Sequence, residues 1–433
     1  MTPDKRLARV VGVPGAVLMG LGSMLGTGVF VSIGIAAGVT GPSVVLAVAL
    51  AAAVATFNGL SSAQLAASHP VSGGTYEYGH RYLNPTLGFV AGWMFLGAKS
   101  ASAATAALGL AGYLLGAVGH VGVTERVAVA LVVVGLLTAV VASGMRQSSR
   151  TNVVFVSITI VALLAFLAAG LPSALAGAPA RLADLFAGAG DGQWGRDLLH
   201  ATALMFVAYT GYGRIATMGE EIRDPARSIP RAIVITLLAS MALYVAIAFV
   251  VVAAVDIADL AAATESSGAP LALVAQSFEV PGIAMLVVVG AATAMVGVLI
   301  NLLLGLSRVL LAMARRGDMP RGLSLLEGEQ PSPRRAVLVV GVIIAGLCLI
   351  GSLKTTWSFS AFTVLVYYAL TNLAALRLPA ASRLFPRWIP ACGLLSCVGL
   401  AFWVEPMIWI AGLVLIGVGL IWHACAQHVT RLQ

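Results

Sequence analysis

Apolar stretches separated by short polar ones divide the chain from one end to the other. A transmembrane helix needs about 20 consecutive, predominantly apolar residues, and twelve stretches of the chain approach or exceed that length. They cover residues 13–36, 43–67, 86–117, 124–144, 151–171, 197–219, 229–255, 282–314, 335–352, 357–377, 388–404 and 407–426. The hydrophobic pattern therefore predicts an all-α integral membrane protein with 12 transmembrane helices.

The composition agrees with a membrane protein. Of the 433 residues, 60% are hydrophobic and only 10% are charged, whereas soluble domains carry about 25% charged residues. Lys5, Arg6 and Arg9 precede an apolar run that is too long for a signal peptide and shows no cleavage site, so we expect a retained first span. The loops are short, which excludes a large soluble domain.

Positive charge is distributed unevenly between the two sides of the predicted membrane. The net charge is +8, and placing the N-terminus in the cytoplasm assigns 19 of the 25 basic residues to cytoplasmic loops and helix ends. The outer segments then keep only Arg126, Arg181, Arg196 and Lys354. This asymmetry follows the positive-inside rule, so we expect both termini in the cytoplasm. It also accounts for the basic charge without a nucleic-acid partner.

Two of the apolar stretches contain glycines in their middle. The first holds Gly22-Ser23-Met24-Leu25-Gly26-Thr27-Gly28, and the sixth holds Tyr209-Thr210-Gly211-Tyr212-Gly213 directly before Arg214. Glycine costs about 1 kcal/mol relative to alanine within a helix, so this density indicates either an interrupted transmembrane helix or close helix packing. Interrupted helices that each open a group of five spans are typical of inverted repeats, with the substrate bound between them.

This pattern predicts how the chain is organised. We expect a first five-helix repeat over residues 1–171, an outer connecting loop over 172–196 and a second, inverted five-helix repeat over 197–377. Residues 378–433 would then form two additional transmembrane helices and a cytoplasmic tail.

Four motifs within about the first 320 residues carry a resemblance to a known family. They are Gly22-x-x-x-Gly26-Thr27-Gly28-Val29-Phe30, Pro70-x-Ser72-Gly73-Gly74-x-Tyr76-x-Tyr78, Phe206-x-Ala208-Tyr209-x-Gly211-Tyr212 leading to Glu220-Glu221, and Ser307-Arg308 leading to Ala312-Met313-Ala314-Arg315. In order and spacing they resemble the amino acid–polyamine–organocation (APC) transporter superfamily, bacterial amino acid permease type. The resemblance implies the 5+5 inverted-repeat fold of leucine-transporter type, followed by two further helices, in a bacterial inner membrane.

The interrupted segments contain the candidate substrate-binding residues. A half-helix that restarts after a break offers free N–H groups and a positive dipole end to a carboxylate, and the candidates for this role are Ser23, Met24, Gly26, Thr27 and Gly28. Carbonyl groups freed by unwinding of the sixth segment would accept from the substrate amino group, with candidates at Phe206, Ala208 and Thr210. Tyr209 and Tyr212 would shape or gate the side-chain pocket, or serve only in aromatic packing.

The chain departs from its relatives at the positions that couple transport to an ion. Proton-coupled relatives carry a lysine about seven residues beyond an Arg-x-Asn signature. Here the signature starts at Arg150, but Thr159 occupies the lysine position. Sodium-coupled relatives place hydroxyl groups on span eight. Here the equivalent stretch is close to residues 296–298, Val-Gly-Val, and Thr293 lies one turn away.

Two cationic residues fall inside predicted spans. Lys99 lies 14 residues beyond Pro85, or about 21 Å along a helix, and a charged residue near the bilayer centre is by default a functional candidate. Lys99 is therefore the candidate for proton coupling, the alternative being a static strut bonded to helix-end carbonyls. Arg214 would contact an inner-gate carboxylate, Glu220 or Glu221, or else extend toward cytoplasmic water.

These features favour a secondary active transporter of amino acids that works by alternating access, proton-coupled or by exchange. No acidic residue lies in the interior of a predicted span, since Glu125 and Asp197 stand at span ends. This favours neutral, small-to-medium substrates, although the two cationic residues leave an acidic substrate open. An exporter or antiporter of the same fold and a non-transporting amino-acid sensor are the alternatives. An enzyme is not expected, because the sequence has no His/Asp/Glu cluster, GxSxG or HExxH motif. We predict no metal or cofactor, and the oligomeric state stays open.

Overall fold

A computed structural model describes residues 11–71, 73–119, 122–144, 149–181, 183, 185–186, 193–217, 221–327 and 332–431. The described residues form α-helices joined by short loops and 3₁₀ turns, and their only β-structure is two isolated bridges, Val11 to Ile222 and Glu327 to Ser332. The predicted all-α class is confirmed.

The helices follow the apolar stretches closely. In chain order they are α1 (Val13–Met24), α2 (Thr27–Phe30), α3 (Ser32–Thr40), α4 (Val44–Ser68), α5 (Thr75–Tyr82), α6 (Pro85–Ala117), α7 (Val123–Ala142), α8 (Ser149–Arg181), α9 (Trp194–Tyr209), α10 (Gly213–Ala216), α11 (Pro225–Ala254), α12 (Ile257–Ser266), α13 (Pro270–Gln276), α14 (Ile283–Arg315), α15 (Arg334–Cys348), α16 (Leu353–Leu376), α17 (Trp388–Ala401) and α18 (Pro406–Arg431). The 3₁₀ turns are Gly41–Ser43, Thr210–Tyr212, Arg321–Ser324 and Ala380–Ser382.

Eight helical stretches of the described residues are long and apolar enough to cross a membrane. They are Thr27–Ser68, Pro85–Ala117, Val123–Ala142, Arg150–Arg181, Pro225–Ala254, Ile283–Arg315, Leu353–Leu376 and Pro406–His428. A helix satisfies its backbone hydrogen bonds internally, as a segment in lipid must. The chain is therefore a multi-pass membrane protein.

Helix burial places α6 at the centre of the bundle. The most apolar window of α6 is 78% buried by the rest of the protein, whereas that of α18 is 22% buried. Helices α14 and α16 both pack against α6. Lys99 lies near the middle of α6 and is buried, with 9% of its surface exposed.

Two short helices, α12 and α13, cover one end of the bundle between α11 and α14. They pack against α3 at small residues, because a Cβ built on Gly38 would lie 3.2 Å from the Cβ of Ala261, and one on Gly34 would lie 2.3 Å from the Oγ1 of Thr264. With 10 and 7 residues, α12 and α13 are too short to cross a membrane.

The buried guanidinium of Arg126 fixes this cover to the bundle. Arg126, near the start of α7, donates to the carbonyl oxygens of Glu265 and Ser266 at the end of α12 and to that of Gly351 before α16, each at 3.0 Å. Only 4% of its surface is exposed. One side chain thus joins the end of α12 to the start of α16.

We predict that Arg126→Met destabilises the folded protein by roughly 3 kcal/mol, because a hydrogen bond to a charged group contributes about 1.5–3 kcal/mol and three carbonyl acceptors, of which that of Gly351 is buried, lose this donor. The measurement is the Tm of the purified protein in detergent. Arg181→Met, at a partly exposed site at the end of α8, is the matched control and should leave the Tm unchanged. Equal Tm values for the two variants would contradict this role of Arg126.

Candidate functional site

The first apolar segment is interrupted in its middle. Helix α1 ends at Met24, Leu25 is extended with φ −76° and ψ 90°, and Gly26 is extended with φ −164° and ψ −130°. The chain becomes helical again at Thr27 and kinks once more at Val31. Of the two explanations for the glycines, an interrupted helix is therefore present.

Close packing, the second explanation, is also present at the same glycines. A Cβ built on Gly26 would lie 2.6 Å from Val298 Cγ2 on α14, and one built on Gly28 would lie 2.6 Å from the Cβ of Ala208 on α9. These separations are shorter than real carbon–carbon contacts, so any side chain there would force the helices apart. The glycines thus serve both the break and the packing around it.

The sixth segment tightens where we expected it to unwind. Between α9 and α10 the chain forms a 3₁₀ turn over Thr210–Tyr212, with Thr210 at φ −77° and ψ 1°. The amide of Thr210 donates to Val207 and not to the carbonyl four residues back, that of Phe206. The expectation of an unwound segment is therefore wrong, because the 3₁₀ turn keeps most backbone groups paired.

Tyrosine hydroxyls donate hydrogen bonds to backbone carbonyl groups at the irregular turns of the two segments. The hydroxyl of Tyr244 on α11 donates to the carbonyl of Met24 and lies 3.4 Å from that of Ala208. The Tyr113 hydroxyl on α6 donates to the carbonyl of Phe30 at 2.7 Å, and the Tyr368 hydroxyl on α16 donates to that of Thr210 at 3.2 Å. A buried carbonyl requires such a partner, so the carbonyls of Ala208 and Thr210 are not bare in this conformation.

A cavity of about 590 Å³ begins where the two interrupted segments meet. A Cβ built on Gly211 would lie 2.5 Å from the carbonyl of Ser23, which shows how closely the segments approach. We call the buried end of this cavity its head, lined by Ser23, Lys99, Thr210 and Gly211. Its other end, the mouth, is lined by the exposed residues Arg308, Arg315 and Arg316.

The structure brings some of the predicted site residues to the cavity and leaves others behind its wall. The cavity is lined by Ser23, Lys99, Thr210 and Arg214. Buried in the surrounding packing, outside the cavity lining, are Met24, Gly26, Thr27, Gly28, Phe206, Ala208, Tyr209 and Tyr212. In this conformation the substrate-binding set is therefore divided between the cavity and the helix contacts next to it.

Tyr209 and Tyr212 lie in aromatic packing and not in the cavity. The Tyr209 ring packs on Tyr244, with 5.0 Å between centroids, and its hydroxyl donates to the Val48 carbonyl at 3.3 Å. The Tyr212 ring packs on Tyr368 at 5.5 Å. Aromatic packing is thus the role that this conformation shows. Tyr367 and Tyr368 of α16 line the cavity in their place, and the sequence reasoning missed both.

The Lys99 ammonium contacts the turn of the sixth segment. Its Nζ atom donates to Thr210 Oγ1 at 2.8 Å, and that hydroxyl in turn donates to the Val207 carbonyl at 2.7 Å. Among the described residues no carboxylate lies within 4 Å of Lys99. The lysine is therefore bound to a side-chain hydroxyl. A static strut would instead be bonded to helix-end carbonyls, and no such bond of Lys99 is recorded among the described residues.

The charged contacts at the mouth differ from the predicted gate. Arg214 and Glu221 form no ion pair among the described residues, and the Glu221 backbone carbonyl instead accepts from the amide of Val11 at 3.1 Å. The other predicted partner, Glu220, lies outside the described residues. An ion pair forms elsewhere, between Glu77 on α5 and Arg316 after α14.

A buried carboxylate, Asp318, organises the residues behind this ion pair. It accepts from the Tyr76 hydroxyl at 2.7 Å and lies 3.1 Å from Nδ1 of His423 on α18 and 3.8 Å from Nε2 of His80 on α5. Burial and the hydrogen bond to Asp318 raise the pKa of the Tyr76 hydroxyl far above its usual range, so the group stays a donor. No local sequence pattern indicates this cluster, because its members are up to 347 positions apart, from Tyr76 to His423.

Comparison with known proteins identifies the family of this chain. A family model described as "Amino acid permease" matches residues 15–430. The chain belongs to the amino acid permease family. The resemblance inferred from the four motifs is thereby confirmed for nearly the whole length of the permease.

Named relatives of this permease are transporters. An uncharacterized transporter of Mycobacterium tuberculosis is 41% identical over 429 residues, which are 99% of this chain and 93% of that protein. The branched-chain amino acid permease BcaP of Bacillus subtilis is 29% identical over 81% of this chain and 76% of its own. The methylthioribose transporter of Bacillus subtilis is 26% identical over 84% of this chain and 80% of its own.

We predict that Gly28→Ala destabilises the permease by roughly 1–3 kcal/mol, the usual cost of overpacking, because the new methyl would lie 2.6 Å from Ala208 Cβ. The measurement is again the Tm in detergent. Gly135→Ala, on an exposed face of α7 with no atom within 4 Å of the new Cβ, is the matched control. It should keep or slightly raise the Tm, since alanine favours helix. A Gly28→Ala variant as stable as Gly135→Ala would contradict the close packing.

Proposed function

We propose that this permease is a secondary active transporter that moves amino acids across a bacterial inner membrane by alternating access. The proposal places 12 transmembrane helices in a 5+5 inverted-repeat fold, with repeats over residues 1–171 and 197–377, a connecting loop over 172–196 and two additional helices within 378–433. In support, each proposed repeat opens with a helix that is irregular in its middle, at Leu25 and Gly26 in the first and at Thr210–Tyr212 in the second.

The observation that carries the proposal is the position of the cavity head. The head lies where the two irregular segments touch, which is the expected substrate position in an inverted-repeat transporter. Helix α14 lines the cavity from Val298 to Arg315, a distance of roughly 25 Å at 1.5 Å per residue. A cavity of this depth reaches from one membrane surface to near the midplane, because the bilayer is about 40–45 Å thick including its headgroup regions.

The charge of the mouth supports an inward-open conformation. The mouth carries Arg308, Arg315 and Arg316, and basic residues concentrate on the cytoplasmic side of membrane proteins. We infer that the cavity opens to the cytoplasm, that α12 and α13 close the outer side, and that both termini are cytoplasmic.

Substrate recognition would then change with conformation. Ser23 and Thr210 are already in the cavity, whereas the amides at Thr27 and Gly28 lie behind the contact between Gly28 and Ala208. Helix amides at the start of α2 lack intrahelical acceptors and suit a carboxylate. For them to reach the substrate, α2 and α9 must separate, which is the kind of motion that alternating access requires.

The lining of the cavity also bears on the substrate class and on coupling. The one described carboxylate in the lining, Glu77, is paired with Arg316, which argues against a cationic substrate and leaves neutral and acidic amino acids. Val298 packs against Gly26, so apolar groups occupy the region where sodium-coupled relatives have hydroxyls. We therefore propose coupling to protons through Lys99 or exchange of amino acids.

The test is uptake of a panel of labelled amino acids into proteoliposomes, with and without a proton or sodium gradient. We expect uptake that a proton gradient or internal amino acid stimulates and that sodium does not affect. Lys99→Ala should abolish this uptake or uncouple it from protons, because it removes the buried ammonium from the cavity head. Lys354→Ala, at an exposed lysine paired with Glu405, is the control and should behave as the wild type.

Three outcomes would count against parts of this proposal. Strict sodium dependence would overturn the coupling argument. Unchanged proton coupling in Lys99→Ala would remove Lys99 from the coupling mechanism. Binding of an amino acid without any uptake or exchange would favour the non-transporting sensor, and transport only out of the vesicles would favour an exporter of the same fold.

A further inference from the structure

The cavity has a large excess of positive charge. Its lining contains five cationic side chains, and its one described carboxylate, Glu77, is paired with Arg316. The cationic residues without a carboxylate partner among the described residues are Lys99, Arg214, Arg308 and Arg315. An excess of one sign in a low-dielectric cleft concentrates ligands of the opposite charge.

The positive-inside rule accounts for only part of this excess. Arg308 and Arg315 lie near the mouth and are exposed, as basic residues at cytoplasmic helix ends usually are. Lys99 lies at the head of the cavity, about 21 Å along α6 from Pro85, and is only 9% exposed. A charge this deep needs a partner, because an unpaired buried charge carries a large desolvation cost.

The groups around Lys99 satisfy only part of the hydrogen-bonding capacity of its ammonium group. An ammonium group has three donors, and the one acceptor recorded for Lys99 among the described residues is the neutral hydroxyl of Thr210. Further along the cavity, the Nε atom of Arg214 is buried without a hydrogen-bond partner. Two under-paired cations therefore face the space in which the substrate is proposed to bind.

A zwitterionic amino acid would not correct this imbalance, because its carboxylate and amino group cancel. A substrate with one additional negative charge would. We propose that the transported substrate is an acidic amino acid, and that Lys99 determines this specificity by binding the side-chain carboxylate. The inference rests on the proposed transport function and shifts the substrate class from the neutral amino acids that the sequence favours.

The head offers the acidic substrate one charged donor beside two hydroxyl groups. Ser23 and Thr210 line the same head as Lys99, and because their hydroxyls donate to the carbonyls of Met19 and Val207, the ammonium of Lys99 is the donor that remains for a carboxylate. Binding of the side-chain carboxylate requires the protonated form of Lys99. This role in specificity is compatible with proton coupling. A cationic side chain at the same place would meet Lys99 and Arg214 as like charges.

The experiment compares isosteric pairs in proteoliposomes containing the full-length protein. Uptake of labelled glutamate and aspartate is competed by the other acidic amino acid, by glutamine and asparagine, and by lysine. We expect the acidic compounds to compete at least about tenfold more strongly than their amides, since each amide loses a buried charge pair while keeping the same size. Lysine should not compete.

Variants at Lys99 then separate specificity from folding. Lys99→Met should remove the preference for acids over amides while leaving the protein monodisperse with a Tm near that of the wild type, and Lys99→Arg should retain part of the preference. Lys354→Met serves as the charge-matched control and should keep the preference. If Lys99→Met fails to fold or takes up no substrate, the Lys99→Arg preference and the wild-type isostere ratio still decide the question.

Failures of the two proposals give different results. Wild-type uptake of glutamine or asparagine that equals or exceeds uptake of the acids would overturn the acidic-substrate proposal and leave amino acid transport standing. Equal competition by chloride or inorganic phosphate would show that the cavity attracts anions without recognising an amino acid, and would also overturn it. No uptake or exchange of any amino acid would overturn the proposed function itself.

Discussion

The pairing of peptide groups at an interrupted helix is the constraint on which this structure depends. A break at membrane depth exposes carbonyl and amide groups to an environment without water, where each unpaired group costs several kcal/mol. In this protein Tyr244 supplies a donor to Met24 and Tyr113 supplies one to Phe30, from α11 and α6 respectively. The break is therefore stable because neighbouring helices are built to support it.

The second requirement is the close contact of the interrupted segments. Gly28 faces Ala208, and Gly211 faces the end of α1, with no room for a Cβ at either glycine. Such surfaces allow backbones to approach closely and part again without steric interlocking of large side chains. The arrangement suits a protein whose two halves must separate around a substrate, and it places the cavity head next to the contact.

Much of the fold was predictable because hydrophobic segments in a membrane follow from composition alone. The apolar intervals matched the helices closely, and the glycines of the first segment indicated its break. Lys99 and Ser23, which line the cavity, could be singled out beforehand because a mid-span charge and a break are local features that can be read from a single segment.

The remainder depends on partners far apart in the chain. The tyrosine donors, the Arg126 contacts and the Asp318 cluster each join elements that no local pattern connects. The 3₁₀ turn of the sixth segment was mistaken for unwinding, because glycines permit both, and the hydroxyls of Tyr244 and Tyr368 that contact its carbonyls come from distant helices. The gate stays a prediction: among the described residues Arg214 and Glu221 form no ion pair, and the Glu221 carbonyl accepts from the amide of Val11.

The most direct test of the account is a cryo-electron microscopy map of the protein in lipid nanodiscs with a transported amino acid bound. The account predicts a helix that ends at Met24 and restarts at Thr27, with ligand density against Ser23, Lys99 and Thr210. A continuous helix through Leu25 and Gly26, with the ligand bound away from these residues, would contradict it.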